Sequence, residues 1–232
     1  MRTVERALAT GLLLTICAVV ATYAHKPVAI GGTYASFDQP LWMEDTAISQ
    51  VAYAELNDSH RVLWLAFDAE AGTRLDLSLG VPVIERLVGY RPSVAVLGPG
   101  MPPIDLPFEV PPGAGGVPFE TSAVGEVDLF HEPFTGTDSW ILLEASVDLP
   151  QSGTYYVVVW PPGELADKLW VAIGTREQFG VSDLLSFPSI VRDVRAFHEV
   201  AARSGRIGTA GKLLFLGLAA AMIALLVSGS RG

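Results

Sequence analysis

From His60 to Ile173 the chain is a succession of short β-forming runs cut by glycine and proline. That pattern constrains the fold more than any other feature. His60-Arg61-Val62-Leu63-Trp64-Leu65-Ala66-Phe67 is rich in β-formers. Alternate residues of a strand face opposite sides, so Val62, Trp64 and Ala66 share one face and Leu63, Leu65 and Phe67 the other. Both faces are apolar, as in a strand covered on both sides. Ala71-Gly72 is a turn, and Arg74 to Leu79 then alternates strictly with its leucines inward. Ser93 to Leu97, Ile141 to Val147, Thr154 to Val159 and Leu169 to Ile173 are further runs of the same kind. Short strands with regular turn signals predict a mainly β fold, an antiparallel sandwich of jelly-roll type, over residues 25–174.

Residues 98–125 break the pattern. Prolines at 99, 102, 103, 107, 111, 112 and 118, with several glycines, predict no regular element between Met101 and Gly125. A stretch of this length is either a functional loop or an insertion covering a sheet edge.

Leu149-Pro150-Gln151-Ser152-Gly153-Thr154-Tyr155-Tyr156-Val157-Val158-Val159 resembles the closing strands of bacterial pre-peptidase C-terminal domains, where a turn leads into a Gly-Thr-Tyr-Tyr strand. Ala69-Glu70-Ala71-Gly72-Thr73-Arg74-Leu75-Asp76-Leu77 is similar to an earlier hairpin of that family. The likeness spans roughly Val51 to Ile173 with a large insertion. It implies a jelly-roll sandwich and an accessory or binding role outside the cytoplasm, and it brings no catalytic residues. Flanking apolar segments and the lack of a preceding peptidase depart from the family's usual arrangement. Arg91-Pro92-Ser93-Val94-Ala95-Val96-Leu97-Gly98-Pro99-Gly100 and Glu132-Pro133-Phe134-Thr135 are similar to a group of membrane-anchored exported prokaryotic proteins, a likeness that implies no function.

Both ends of the chain are apolar. Arg2 and Arg6 precede the run Ala7 to Ala21, and Thr22-Tyr23-Ala24 offers small residues for cleavage after Ala24. A cleaved signal peptide and an uncleaved signal anchor both fit residues 1–24. Residues 206–228 read as a transmembrane helix, with Leu213 to Val227 free of charge and Lys212 placed to snorkel. Gly217, Ala219, Ala220 and Ala221 would let another helix approach closely. Residues 229–232 form a short tail. The positive n-region stays inside, so the middle of the chain is expected outside the cytoplasm, on a membrane by one or two passes. Arg203, Arg206 and Lys212 then lie outside, where lipid phosphates can meet them.

Between the sandwich and the anchor, residues 175–205 read as amphipathic connector helices. Ser182 can cap a helix, Asp183 sits in its first turn, and Pro188 begins or kinks a second piece. Ile190, Val191, Val194, Phe197, His198 and Ala201 recur at helical spacing, so one face lies on membrane or sandwich.

Charge and cysteine content exclude several function classes. Between His25 and Ala202 there are 24 acidic and nine basic residues, a balance of −15. Such a surface repels nucleic acid and anionic lipid. A lone cysteine, Cys17, excludes a disulfide framework and multi-cysteine metal sites. No nucleophile elbow, calcium loop or phosphate-cradling glycine loop occurs. Glu44 and Asp45 are adjacent and would point to opposite faces, unlike a glycosidase pair. Asn57-Asp58-Ser59 matches a glycosylation sequon and reads as a turn.

Two binding chemistries remain. After cleavage His25 would be the first residue, able to hold copper through its amine and imidazole, with His131 as a second ligand. The alternative is carbohydrate binding through tryptophans. Trp64 and Trp170 lie within strands as core residues, whereas Trp140 and Trp160 stand at strand ends, open to the surface. The leading expectation is a non-enzymatic, membrane-anchored extracytoplasmic accessory protein. Its partners would be the lipid bilayer and other membrane-protein subunits, with no nucleic acid and no obligatory cofactor.

Overall fold

The computed structural model describes residues 26–125, 127–176 and 181–200. Within them the strands are β1 (Lys26–Ile30), β2 (Leu41–Trp42), β3 (Gln50–Glu55), β4 (Leu63–Ala69), β5 (Arg74–Pro82), β6 (Ser93–Gly98), β7 (Gly115–Phe119), β8 (Asp128–Glu132), β9 (Thr137–Asp148), β10 (Gly153–Trp160) and β11 (Lys168–Ile173). One helix, α1 (Val181–Phe197), follows. A six-stranded sheet runs β1-β3-β11-β5-β9-β8 and a five-stranded sheet runs β2-β4-β10-β6-β7.

The mainly β expectation holds, but both sheets are mixed. β1 pairs with β3 and β2 with β4 in parallel, whereas the other pairs are antiparallel. The reason is the path of the chain, which alternates between sheets from β1 to β6. Each parallel pair is therefore linked through a strand of the opposite sheet, which supplies the crossover that parallel neighbours need.

Between the sheets lies the main core. Leu63, Leu65 and Phe67 of β4 face Leu75, Leu77 and Leu79 of β5, with Val157, Val159, Leu169, Val171 and Ile173 among them. The strict alternation of β5 thus does what its sequence predicts. Tyr155 is fully buried there, stacked on Phe67 with ring centroids 6.1 Å apart. Its hydroxyl donates to the carbonyl of Gln151 at 2.7 Å, locking the turn before β10. Gly98 leaves room for the Tyr155 ring, since a Cβ there would collide with it.

Both outer faces are also covered in part. The prolines do not keep residues 101–125 free of regular structure, because β7 pairs with β6. Pro118 is tolerated because β7 is an edge strand, where a missing N–H faces no partner. Ahead of β7, Ile104, Leu106, Phe108 and Val110 pack on Trp64, Ala95, Leu97 and Val158. Asp105, Pro107 and Glu109 between them are exposed. The segment is an extended strap with one buried side, lying on a sheet face rather than an edge. On the six-stranded sheet, Tyr53 of β3 meets the rings of Phe197 and His198 at 5.2 and 5.8 Å, which seats α1 on that face.

α1 continues through Pro188 as one element. Segments 1–24 and 206–228, the tail 229–232 and residues 201–205 of the connector lie outside the described residues, as does His25. Among the described residues no helix is long and apolar enough to cross a membrane.

Candidate functional site

Three polar constellations stand out from the fold, and each does a different job. The first is buried between α1 and the six-stranded sheet. Ser139 of β9 and His198, just past α1, are each 5% exposed. The imidazole Nδ1 lies 2.9 Å from the carbonyl of Val194, which can only accept, so Nδ1 carries the hydrogen. His198 Nε2 is then the acceptor, and the Ser139 hydroxyl donates to it at 3.2 Å. That hydroxyl oxygen takes the indole N–H of Trp170 at 3.0 Å. The result is a one-way relay from Trp170 through Ser139 and His198 to Val194. Burial is the main reason the imidazole is held below its usual pKa, and nearby Lys168 adds to the effect.

A serine beside a histidine whose far nitrogen is fixed has the outline of a nucleophile with its base. Here the serine is sealed beneath α1 and already holds the Trp170 N–H. The arrangement as it stands is a polar clasp. His198 gave one sign of burial in the sequence, its place on the apolar stripe with Val194 and Phe197. Ser139 gave none, because its partners are 31 and 59 residues away.

The second constellation closes the end of α1. Arg86 bonds Asp167 through Nε at 2.7 Å and Nη2 at 3.1 Å. The same guanidinium bonds Glu199 through Nη1 at 2.8 Å and Nη2 at 2.6 Å. Lys168 adds a contact to Glu199 at 2.8 Å. Hydrogen bonds from Arg86 and then Lys168 hold the Glu199 carboxyl down at about 2. Val200 N–H reaches Arg195 O and Glu199 N–H reaches Ala196 O, the paired bonds of a Schellman stop. Glycine usually occupies the left-handed position of that motif, but here it is Glu199, at φ 56°. Its side chain ties the helix end to β11 and to the turn holding Arg86, which offsets the backbone cost of about 1–2 kcal/mol.

The third lies at the surface. His131 of β8 and Asp138 of β9 stand directly across the ladder, with Nδ1 2.7 Å from the carboxylate. Their side chains are 61% and 48% exposed. An imidazole held at Nδ1 by a carboxylate presents Nε2 outward, as metal-bound histidines do. The predicted partner of His131, His25, lies outside the described residues. Lys26, which follows it, opens β1 at one edge of the sheet, and His131 sits in β8 at the other, with four strands between. Among the described residues no group of three or more His, Cys, Asp or Glu could hold a metal ion.

The tryptophans sort differently from the sequence expectation. Trp64 and Trp170 are core residues as expected. Trp140 and Trp160 are half-buried, the first against the main core and the second against Phe108 at 5.4 Å. Phe108 of the strap covers Trp160, and Trp140 lies within β9 rather than at its end. The exposed indole is Trp42 of β2, at 54%.

No protein-family model matches the chain, and no curated protein matches it. Solved structures give distant likenesses. The pre-peptidase C-terminal domain of a collagenase from Bacillus anthracis aligns at 10% identity and a TM-score of 0.28, over 65% of this chain and 97% of that one. CorA of Methylomicrobium album BG8, a surface-associated copper-binding protein, aligns at 12% identity and a TM-score of 0.34, over 62% and 100%. MopE, a secreted protein of Methylococcus capsulatus in which an oxidized tryptophan facilitates copper binding, aligns at 10% identity and a TM-score of 0.29, over 66% and 100%. Likeness at this level carries no function to this chain. The sandwich stands on its own strand pairing and core.

Proposed function

We propose that this protein is a non-catalytic binding module carried on the outer side of a membrane, where it serves as an accessory to other membrane subunits. One observation supports the non-catalytic part. The Ser139–His198 pair, with the outline of a reactive dyad, has its hydrogen-bonding capacity committed inside a sealed interface. Support for the outer location comes from Arg2 and Arg6 ahead of the Ala7 to Ala21 run, and for the anchor from Leu213 to Val227.

The test uses the full chain in its native membrane. A fluorophosphonate probe is expected to leave Ser139 unlabelled, and protease added from the outer side is expected to reach the sandwich. Labelling of Ser139, or protection of the sandwich until the membrane is opened from the cytoplasmic side, would overturn the reading.

A second reading is supported by the His131–Asp138 pair, whose free Nε2 suits a borderline metal such as copper. Titrating the full chain with Cu(II) under paramagnetic resonance should show nitrogen coordination, weakened roughly 10–100-fold in both His131→Gln and Asp138→Asn. Identical spectra and affinity in His131→Gln would reject it.

A further inference from the structure

Trp42 stands out among the five tryptophans. Each of the others is packed in the main core, ringed by aromatics or hydrogen-bonded. Trp42 contacts no other ring among the described residues, and its indole N–H has no acceptor there. Its position explains why. It pairs with Ala66 on β4, and Ala66 pairs with Tyr156 on β10. Leu65 and Phe67 face the inner core, so Ala66 and its row face outward. Trp42 and Tyr156 therefore stand on the same outer face, two ladder steps or about 10 Å apart. Ala66 lies in the row between them and is itself fully buried, so the accessible part of this face is Trp42 and the outer side of the half-buried Tyr156.

The next outward row down the same strands is Asp68 opposite Thr154. The Thr154 hydroxyl donates to Asp68 Oδ1 at 2.7 Å. Asp68 is exposed and has no cationic partner among the described residues, which leaves its second oxygen free. The Tyr156 hydroxyl likewise has no protein partner there. The strap ends this open area on one side, since Ile104 closes over Leu97 and the Gly116 position beyond Tyr156. The area thus offers the exposed Trp42 indole and the half-buried Tyr156 ring on one sheet face and, beside them, an indole donor, a phenol, a carboxylate and a hydroxyl.

We infer that this face, with Trp42, Tyr156, Asp68 and Thr154, binds a neutral glycan. The sugar's C–H faces stack on the rings, and its hydroxyls meet Asp68, Thr154 and the two ring donors. The strand spacing between the two residues is of the order of two sugar units in a straight β-linked chain. Three observations set this ligand apart from the alternatives. Asp68, with Glu70 two residues on, repels anionic ligands such as phosphate. A fully apolar protein partner would have to desolvate both carboxylates without cationic partners. Two rings standing side by side on one sheet do not box in a cation as an aromatic cage does. The inference rests on the binding-module reading and names the ligand of that module.

The full chain is tested by calorimetry and tryptophan fluorescence against three neutral hexasaccharides: β-1,4-glucan, β-1,3-glucan and β-1,4-linked N-acetylglucosamine. At least one should bind and shift the emission of Trp42 to the blue. Trp42→Ala should weaken binding at least tenfold and Asp68→Asn about fivefold, with far-ultraviolet circular dichroism and the urea midpoint unchanged. Tyr156→Phe keeps the ring and should lose only a few-fold. The inference is overturned if none of the three binds, if binding survives Trp42→Ala, or if only a tetramethylammonium or lysine-rich peptide control binds at Trp42. Such a failure leaves the module reading standing when Ser139 stays unlabelled and the sandwich stays outside. Labelled Ser139 with glycan bound at Trp42 would instead remove the non-catalytic reading and keep the site.

Discussion

Removing one hydroxyl group measures how firmly α1 is clasped to the sandwich. In Ser139→Ala the Trp170 indole N–H loses its acceptor and His198 Nε2 loses its donor. Trp170 is 4% exposed and His198 5%, so bulk water does not take the place of the hydroxyl. A buried polar group left unpaired costs about 1–3 kcal/mol. The indole bond at 3.0 Å is the better of the two, and the serine–histidine bond at 3.2 Å is weaker. Together they put the loss at about 3 kcal/mol. With a urea slope of about 2 kcal/mol per molar, the midpoint should fall by about 1.5 M. The assay is urea unfolding of the full chain at pH 7.5, followed by near-ultraviolet circular dichroism. Adding Trp170→Phe removes the stranded indole donor, so the double variant should cost less than the sum of the singles. A loss below about 0.5 kcal/mol in Ser139→Ala, or strict additivity in the double variant, would refute the relay.

Acidification should act on the same clasp. His198 has its folded pKa lowered, so its contribution is complete above the usual 6.5 and declines as the pH falls below it. The stability profile of the wild type should slope downward below about pH 6.5, and His198→Gln should flatten that slope. Glu199, lowered to about 2 from 4.5, adds stability that is present above 4.5 and lost as the pH falls toward 2. Because this carboxylate is partly exposed, its share is about 1 kcal/mol or less. Thermal unfolding of Glu199→Ala and Glu199→Gly separates the two roles of that residue. Both lose the clasp, but glycine also relieves the left-handed backbone and should be the more stable by about 1 kcal/mol. At Gly80 a Cβ would strike the Trp170 indole and come within 2.8 Å of the Trp140 carbonyl. Gly80→Ala should therefore cost about 1–3 kcal/mol in urea unfolding.

How much of this was legible in the chain depends on the range of the interaction. β4, β5, β6, β10 and β11 announce themselves because their apolar pattern is local and unbroken. β9 is found only in its second half, since Thr137 to Trp140 carries no continuous apolar run, though Ser139 and Thr137 are buried. β1, β2 and β8 are short edge strands, and their pairing partners decide them. The strap was legible in principle. Ile104-Asp105-Leu106-Pro107-Phe108-Glu109-Val110 alternates as strictly as β5 does, and its prolines hide a period that needs no backbone hydrogen bonds. The relay and the Arg86 cluster were not legible, because each joins residues from distant parts of the chain through side chains that look ordinary where they stand. Trp42 was hidden for the opposite reason. A two-residue strand has no period to read, and only its pairing with Ala66 turns the indole outward.

The two faces of the sandwich are finished by different devices, and the difference locates the free surface. On the six-stranded sheet, the end of α1 brings Phe197 and His198 down onto Tyr53, and the Arg86 and Ser139 contacts hold it there. That side is closed by side-chain chemistry that tolerates few substitutions. On the five-stranded sheet the cover is the strap, held mainly by apolar side chains set at every second position. It covers Trp64, Ala95, Leu97 and Val158 and leaves Trp42 exposed at the edge of the sheet. A large exposed indole costs solubility and contributes nothing to the core. Its neighbours on that face include the Thr154–Asp68 pair, and a surface buried against another apolar body would not keep Asp68 without a cation. The fold is therefore complete without Trp42, which leaves that residue available for a ligand with both hydroxyl groups and flat apolar faces.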